Sequence, residues 1–349
     1  MFPPSAHNTG SAAELAIDRP FLGEWLISLG VRCAGPVEVA RIGAGNSNLT
    51  FLVTDTAGRR WVLRRPPLGD LLASAHDVVR EARVVGALRG TGVPVPQVLG
   101  VGAHEGVPMV LLEHIEGQVI EDVAVAQTLT PHQRRATGLA LARALAQVHA
   151  VDLAATGLTD LASHRPYAER QLRRWSRQWD RSRTRDLPQV DQLTQRLSAA
   201  IPQQHELTLV HGDFHLRNMI TSPADGTITA VLDWELCTLG EPLADLGSLL
   251  AYWPEPGEPS IAGFEMTTLA GFPTRQELVD EYLAHTGRDP AALAFWHALG
   301  LWKLAIIAEG VRRRVLDNPD NSTHAGAPAT DQIDHLVDLA DVVATTTGM

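Results

Sequence analysis

Lysine is nearly missing from this 349-residue chain: Lys303 is the only one, and every other fixed cation is arginine. A mechanism that needs a lysine must use that residue or substitute Arg. Cysteine is as scarce. Cys33 and Cys237 stand far apart, which excludes a disulfide framework and CxxC zinc spacing. No apolar run is long enough to span a bilayer, because Gly, Pro or a charge interrupts each one. The opening MFPPSAHNTGSAAELAIDRP has neither a basic n-region nor an apolar h-region, so no secretory signal is expected. Positive charge is also short: 29 Lys and Arg against 40 Asp and Glu give a formal charge of −11, which argues against a surface built to hold a nucleic-acid backbone. The expectation is a cytoplasmic protein with no membrane and no nucleic-acid partner. What is present is ordinary globular material, 45 % hydrophobic and 20 % charged, enough for one large domain or two smaller ones.

Periodicity changes along the chain. Val37–Ile42, Leu49–Asp55 and Arg60–Arg64 are short β-branched or alternating runs separated by GAGNSN and TAG, which predicts an antiparallel meander. A helix is predicted over Ser74–Leu88, with Ser74 as cap and Gly90 as stop. Strands follow at Gln97–Val101 and Val107–His114, the latter largely buried. Near Glu116 the pattern turns helical. Pro131–Val151 repeats apolar residues at i, i+3 and i+4 behind a Thr130 cap. Tyr167–Asp180 is strongly basic, and 275–285, 291–316 and 332–345 read as further helices. The expected organisation is an N-terminal segment with a first helix (1–34), a sheet-rich lobe (35–116) and a helical lobe (117–349).

The most informative stretch is LTLVHGDFHLRNMI…TITAVLDWE. A strand ends at Val210 and a tight loop runs from His211-Gly212-Asp213 to Asn218. A hairpin from Met219 then returns the chain to Asp233, beside Asn218. Two oxygen ligands beside a separate carboxylate suit magnesium, a hard cation, and a base for a hydroxyl. Phosphoryl transfer asks for little more than held phosphates, a bridging metal and a carboxylate that orients the attacking oxygen. On that reading Asp213 is the base, and Asn218 and Asp233 are the metal ligands. A competing reading takes His211, Asp213 and His215 as the H-x-D-x-H run of a two-metal phosphoesterase. That chemistry needs several further His and Asp clusters, and the other histidines are scattered. The expectation for His211 is structural, its ring holding the loop through backbone. His215 is read as facing the substrate or solvent.

H-G-D-x-x-x-x-N followed by an apolar strand and D-W-E resembles the aminoglycoside phosphotransferase and choline kinase superfamily, which is related to the protein kinases. The resemblance implies a two-lobed, protein-kinase-like α/β (α+β) fold, with a small antiparallel-sheet N-lobe and a larger helical C-lobe. It also implies an ATP- and Mg2+-dependent enzyme, with GTP an alternative nucleotide, acting on a small-molecule hydroxyl. Asp245, in GEPLADL, is implied to brace the catalytic loop. Gly43, Gly45, Asn46, Ser47 and Asn48 occupy the place of the phosphate-covering loop, where small residues let backbone N–H groups approach anionic oxygens; read alone, the same loop is a plain hairpin turn. Arg64, two after Val62 and on the same strand face, stands where the superfamily usually has lysine, with Glu81 its implied helix partner. Arg65 is read as solvent-facing. Glu113, His114 and Ile115 are implied to offer backbone to the purine.

WVLRRPPLGDLLASAHDVVREARVVGAL, VPVPQVLG, LAQVHAVDL and YAERQLRRWSRQW are similar to the kinase-like domain fused ahead of some acyl-CoA dehydrogenases. That branch implies hydroxyacyl thioesters of coenzyme A as acceptors; an aminoglycoside is the alternative, and a non-catalytic pseudokinase a third reading. Arg173 and Arg177 fall at helical spacing on a basic helix suited to an anionic ligand such as a CoA phosphate, or else form a plain solvated face. Glu235 joins His215, Arg173 and Arg177 as a candidate substrate contact.

Overall fold

A computed structural model describes residues 17–43, 48–67, 77–161, 166–258, 263–318 and 326–349. The N-terminal part is a five-stranded antiparallel sheet. Helix α1 (Arg19–Ser28) is capped by Asp18, whose carboxylate accepts from Phe21 N at 2.9 Å. Strands β1 (Val37–Ile42), β2 (Leu49–Asp55) and β3 (Arg60–Arg65) form the expected meander. Helix α2 (Val78–Leu88), β4 (Val98–His104) and β5 (Val107–Glu113) complete the sheet in the order β1-β2-β3-β5-β4. The α2 cap is Asp77 rather than Ser74, and Ser74 lies outside the described residues.

The two-residue period of the strands sorts their side chains onto two covered faces. Phe51, Val53, Trp61, Leu63, Met109 and Leu111 pack with Leu22 and Leu26 of α1. Val62, Val110 and Leu112 lie on the opposite face, against Val78 and Ala82 of α2. This explains why β5 reads as a continuous apolar run. It also corrects the reading of Arg65. That side chain does point away from Arg64, but the face it points to is core: Arg65 is buried, with its guanidinium 5.6 Å from the Phe51 ring centroid.

The remainder is mostly helical: α3 (Val123–Gln127), α4 (Pro131–His149), α5 (Tyr167–Ser182), α6 (Pro188–Ala199), α7 (Pro242–Ala251), α8 (Arg275–Thr286), α9 (Leu293–Asp317) and α10 (Thr330–Thr346). Between α6 and α7 lie four short strands, β6 (Thr208–Val210), β7 (Met219–Thr221), β8 (Ile228–Val231) and β9 (Thr238–Gly240). They pair antiparallel as β6–β9 and β7–β8. The core of this part is α7 on α9. Gly247 and Gly300 meet there so closely that a Cβ on Gly300 would lie 2.7 Å from Gly247 O. The sheet-then-helices architecture is the one expected from the sequence.

By contacts the chain divides into two units. One holds the described residues up to Gly90, Val95–Ile115 and Asp233–Glu235; the other holds Thr91–Pro94, Glu116–Leu232 and the residues from Leu236 onward. Among the described residues no helix is long and apolar enough to cross a membrane.

Candidate active site

In the helical unit, the candidate residues gather on the loop between β6 and β7. Gly212 has φ +85, and a Cβ there would come within 2.7 Å of Leu236 O, so only glycine fits. The loop is held from beneath by Asp245 in the first turn of α7. Its buried carboxylate accepts from His211 N at 2.6 Å and Gly212 N at 2.9 Å, with His149 Nε2 3.4 Å away. Burial pushes the Asp245 pKa up, but the hydrogen bond and charge of His149, the charge of His211 and the Gly212 amide prevail and hold it below the usual carboxylate value. His211 has the structural role expected of it: its Nε2 lies 2.9 Å from Leu232 O, and Asp213 N donates to its Nδ1 at 3.3 Å.

Asp213 meets three side chains. His215 Nε2 lies 3.2 Å from its Oδ2, Asn218 Nδ2 donates to the same oxygen at 3.2 Å and to its carbonyl at 2.9 Å, and the Tyr252 hydroxyl is hydrogen-bonded to the carboxylate. Burial alone would raise the Asp213 pKa. The charge and hydrogen bond of His215, with Lys303 and His211, outweigh it and hold the group well below the usual range. His215 is thus not solvent-facing. It is buried between Tyr252 and Phe264, at centroid distances of 4.7 and 5.2 Å. Because Asn218 turns its amide nitrogen to Asp213, its Oδ1 faces elsewhere, an oxygen donor of the kind magnesium takes.

In the sheet unit a second cluster forms. Arg64, on the α2 face of β3, reaches Glu81 Oε2 at 3.1 Å and Asp233 Oδ1 at 3.6 Å. Glu81 is buried rather than solvated, and its Oε1 accepts from Trp234 N at 3.3 Å. Burial, reinforced by Asp233, raises the Glu81 pKa against the opposing pull of Arg64 and Trp234 N. Asp233 has φ +64, a left-handed conformation uncommon outside glycine. Its Oδ1 is buried and makes no hydrogen bond. A strained carboxylate with an unsatisfied buried oxygen fits a hard cation, which would satisfy that oxygen. Arg80 Nη1 donates to the backbone carbonyl of Glu235 at 3.3 Å.

The remaining candidates are more dispersed. Gly43 has φ +75, and Asn48 is buried with both amide atoms unpartnered among the described residues. Gly45, Asn46 and Ser47 lie outside the described residues. Glu113 N already donates to Gln97 O at 2.9 Å, so that amide is committed within the sheet unit; His114 and Ile115 follow the end of β5. Arg173 and Arg177 are exposed on α5. Elsewhere on α5, the Trp175 ring lies 5.5 Å from Lys303 Nζ, and that ammonium donates to Gly212 O of the β6–β7 loop at 2.9 Å. Sequence reasoning missed Tyr252 and committed Lys303 to no role, although its uniqueness was a signal. The H-x-D-x-H reading finds no support, since no three His, Cys, Asp or Glu among the described residues form a metal-holding group.

A family model, the phosphotransferase enzyme family, matches residues 38–296. Acyl-CoA dehydrogenase family member 10 of Mus musculus is 37 % identical over 319 residues, covering 89 % of this chain and 30 % of that protein. Family member 11 of Rattus norvegicus is 34 % identical over 310 residues, covering 86 % and 40 %. The chain therefore spans only a third or so of the length of these curated relatives. A crystal structure of a provisionally named aminoglycoside phosphotransferase from Ralstonia eutropha has a TM-score of 0.77 and 30 % identity, covering 95 % of this chain and 98 % of that one. The GDP complex of aminoglycoside 2'-phosphotransferase-IIIa shares the fold at a TM-score of 0.59 and 15 % identity, covering 95 % and 99 %. The chain has the kinase-like fold and belongs to the phosphotransferase enzyme family.

Proposed function

We propose that the chain transfers the γ-phosphoryl group of ATP to a hydroxyl of a small molecule, and that the acceptor is a hydroxyacyl thioester of coenzyme A. The observation that carries the chemistry is the braced loop. Asp213 is fixed by Tyr252, Asn218 and His215, while Asp245 ties down the two amides before it. A carboxylate held so far toward its ionised form is a weak base. It suits a loose phosphoryl-transfer transition state, in which the acceptor hydroxyl must be oriented and its proton taken late. Asn218 Oδ1 and the Asp233 carboxylate would hold Mg2+, which would supply positive charge to offset that of the phosphates. Arg64, steadied by Glu81, would fork onto phosphate oxygens in place of a lysine. The loop at Gly43–Asn48 would cover the phosphates, and the segment Glu113–Ile115 would meet the purine, with His114 and Ile115 supplying the amide.

Two considerations support the acceptor. Two curated relatives that match most of the chain are named for acyl-CoA dehydrogenation, a setting in which hydroxyacyl thioesters arise. Arg173 and Arg177 are exposed and therefore accessible to the phosphates of the CoA handle. Aminoglycosides are the second reading, supported by the name of the Ralstonia relative, and GTP is a second nucleotide, supported by the GDP complex.

The test is an ATP- and GTP-consumption screen over hydroxyacyl-CoAs, free hydroxy acids, aminoglycosides, choline and sugars. Hydroxyacyl-CoA should lead, and exchanging Arg173 and Arg177 for Ala should raise its KM. Asp213→Ala should lose about 10²–10⁴-fold in kcat with ATP affinity kept. A variant with full kcat would remove Asp213 from the chemistry, and a wild type that binds nucleotide without Mg2+-dependent turnover would be a pseudokinase.

A further inference from the structure

Lys303 is the chain's only lysine, and it stands half-buried on α9 beside the catalytic loop. Its Nζ donates to Gly212 O at 2.9 Å and lies 5.5 Å from the centroid of the Trp175 ring. An ammonium carries three donors. Gly212 takes one, and among the described residues no other protein acceptor is found for the remaining two. Taking a cation out of water is costly unless its donors are used. Burial indeed pushes the Lys303 pKa down, while Asp213 and Asp245 oppose that change.

The same residue lines a small cleft between α5, α7 and α9, about 10 Å³ in volume and so room for about one water-sized group. Trp175, Trp296 and Leu299 form apolar walls there, and Gln171, Ser248 and Lys303 supply polar groups. Apolar walls with a single cation, in a space of that size, suit one oxygen acceptor whose apolar remainder stays outside. They do not suit a polycation, whose ammonium groups Lys303 would repel.

We propose that Lys303 anchors an acyl oxygen of the acceptor, the carbonyl of a thioester or the carboxylate of a free hydroxy acid. The acyl oxygen takes the small space beside the ammonium, the acyl chain lies outside it against the half-exposed Trp175 ring, and the hydroxyl is presented to Asp213. The proposal rests on the hydroxyl-acceptor reading above and specifies what that acceptor carries. Lys303 becomes a specificity-determining residue: it sorts acyl-bearing alcohols from plain alcohols and from aminoglycosides. A loop-holding role through Gly212 O alone is the rival explanation, and the two separate experimentally.

Calorimetric binding without nucleotide is measured first, with a medium-chain hydroxyacyl-CoA, the matching free hydroxy acid and an alkanol of equal carbon number as probes. Lys303→Met should weaken the first two by about 10- to 100-fold, the loss of a charge-assisted hydrogen bond, and leave the alkanol unchanged. Lys303→Arg should keep most of the affinity, and Trp175→Leu, at a half-exposed position, should weaken all three probes. Equal binding of the acyl probes by wild type and Lys303→Met overturns the proposal, as does failure of wild type to bind them. In turnover, acceptor KM should rise in Lys303→Met by a larger factor than kcat falls, and Lys303→Arg should restore most of that KM. A parallel fall in kcat and ATP hydrolysis with unchanged KM would assign Lys303 to the loop instead. Acyl binding that depends on Lys303 without phosphorylation would sink the enzymatic reading and leave the anchor standing. Phosphorylation indifferent to Lys303 would do the reverse.

Discussion

Arg64 shows how much a single side chain carries. Its guanidinium sits 3.1 Å from a buried glutamate and 3.6 Å from Asp233, so removing it leaves Glu81 buried without its ion-pair partner. Arg64→Met should raise the nucleotide Kd by about tenfold or more, because a charged hydrogen bond to phosphate contributes about 1.5–3 kcal/mol. Arg64→Lys, which keeps the charge, should lie between the two in an equilibrium nucleotide titration. If Arg64→Met binds as wild type does, Arg64 serves only the sheet unit's own structure. Residues of this kind are legible in the sequence when chemistry and spacing are local. Asp213, His215 and Asn218 sit within six positions of one another, and the β7–β8 hairpin leads directly to Asp233. Arg64 and Glu81 are readable because strand parity fixes the face of one and helical spacing the face of the other. Tyr252 and Lys303 are not, since only the packing of α7 and α9 against the loop brings them to Asp213. Arg65 misleads for a related reason: parity gives its direction correctly but cannot tell that α1 has covered that face.

At the scale of elements, the turn joining β2 and β3 is the clearest case of a carboxylate organising backbone. Asp55 accepts from Ala34 N, Ala57 N and Arg59 N, each at 2.9 Å, and from Arg59 Nε at 2.8 Å. Burial raises its pKa, but these donors outweigh it and hold the group at about 2, against an ordinary 3.8. A depressed folded-state pKa contributes stability that is present above the unfolded value and disappears as pH falls through the folded one. The melting temperature of Asp55→Asn should therefore lie a few degrees below wild type near neutral pH, and the gap should close between about pH 4 and pH 2. A gap that stays constant with pH would mean that the carboxylate's charge plays no part. The elements themselves were readable where they alternate or repeat. The meander and α4, with its Thr130–Gln133 capping box, follow the expected bounds closely. Helix α7 escaped because all ten of its residues are buried, which erases the 3.6-residue signal that a half-exposed helix would show.

For the molecule as a whole, the two units are not separable by one cut in the chain. Thr91–Pro94 belongs to the helical unit although sheet residues flank it, and Asp233–Glu235 belongs to the sheet unit although helical-unit residues flank it. Both exchanges adjoin β8: Val231 N donates to Pro94 O at 2.8 Å, and Leu232 N donates to Asn218 O at 2.8 Å, one residue before Asp233. Unfolding the sheet unit must therefore pull on the β7–β8 hairpin, and unfolding the helical unit must release the segment leading into β4. Such interleaving couples the two transitions. Calorimetry of wild type should give one peak whose calorimetric and van't Hoff enthalpies agree. Two variants test the coupling from opposite sides: Asp55→Asn weakens the sheet unit, and Thr130→Ala removes a helix cap worth about 1 kcal/mol from the helical unit. Each should move the whole peak down without splitting it, the cap variant by about 2–4 °C. If either variant shifted only part of the heat absorption, the units would unfold independently, and the two strand crossings would be connections without energetic consequence.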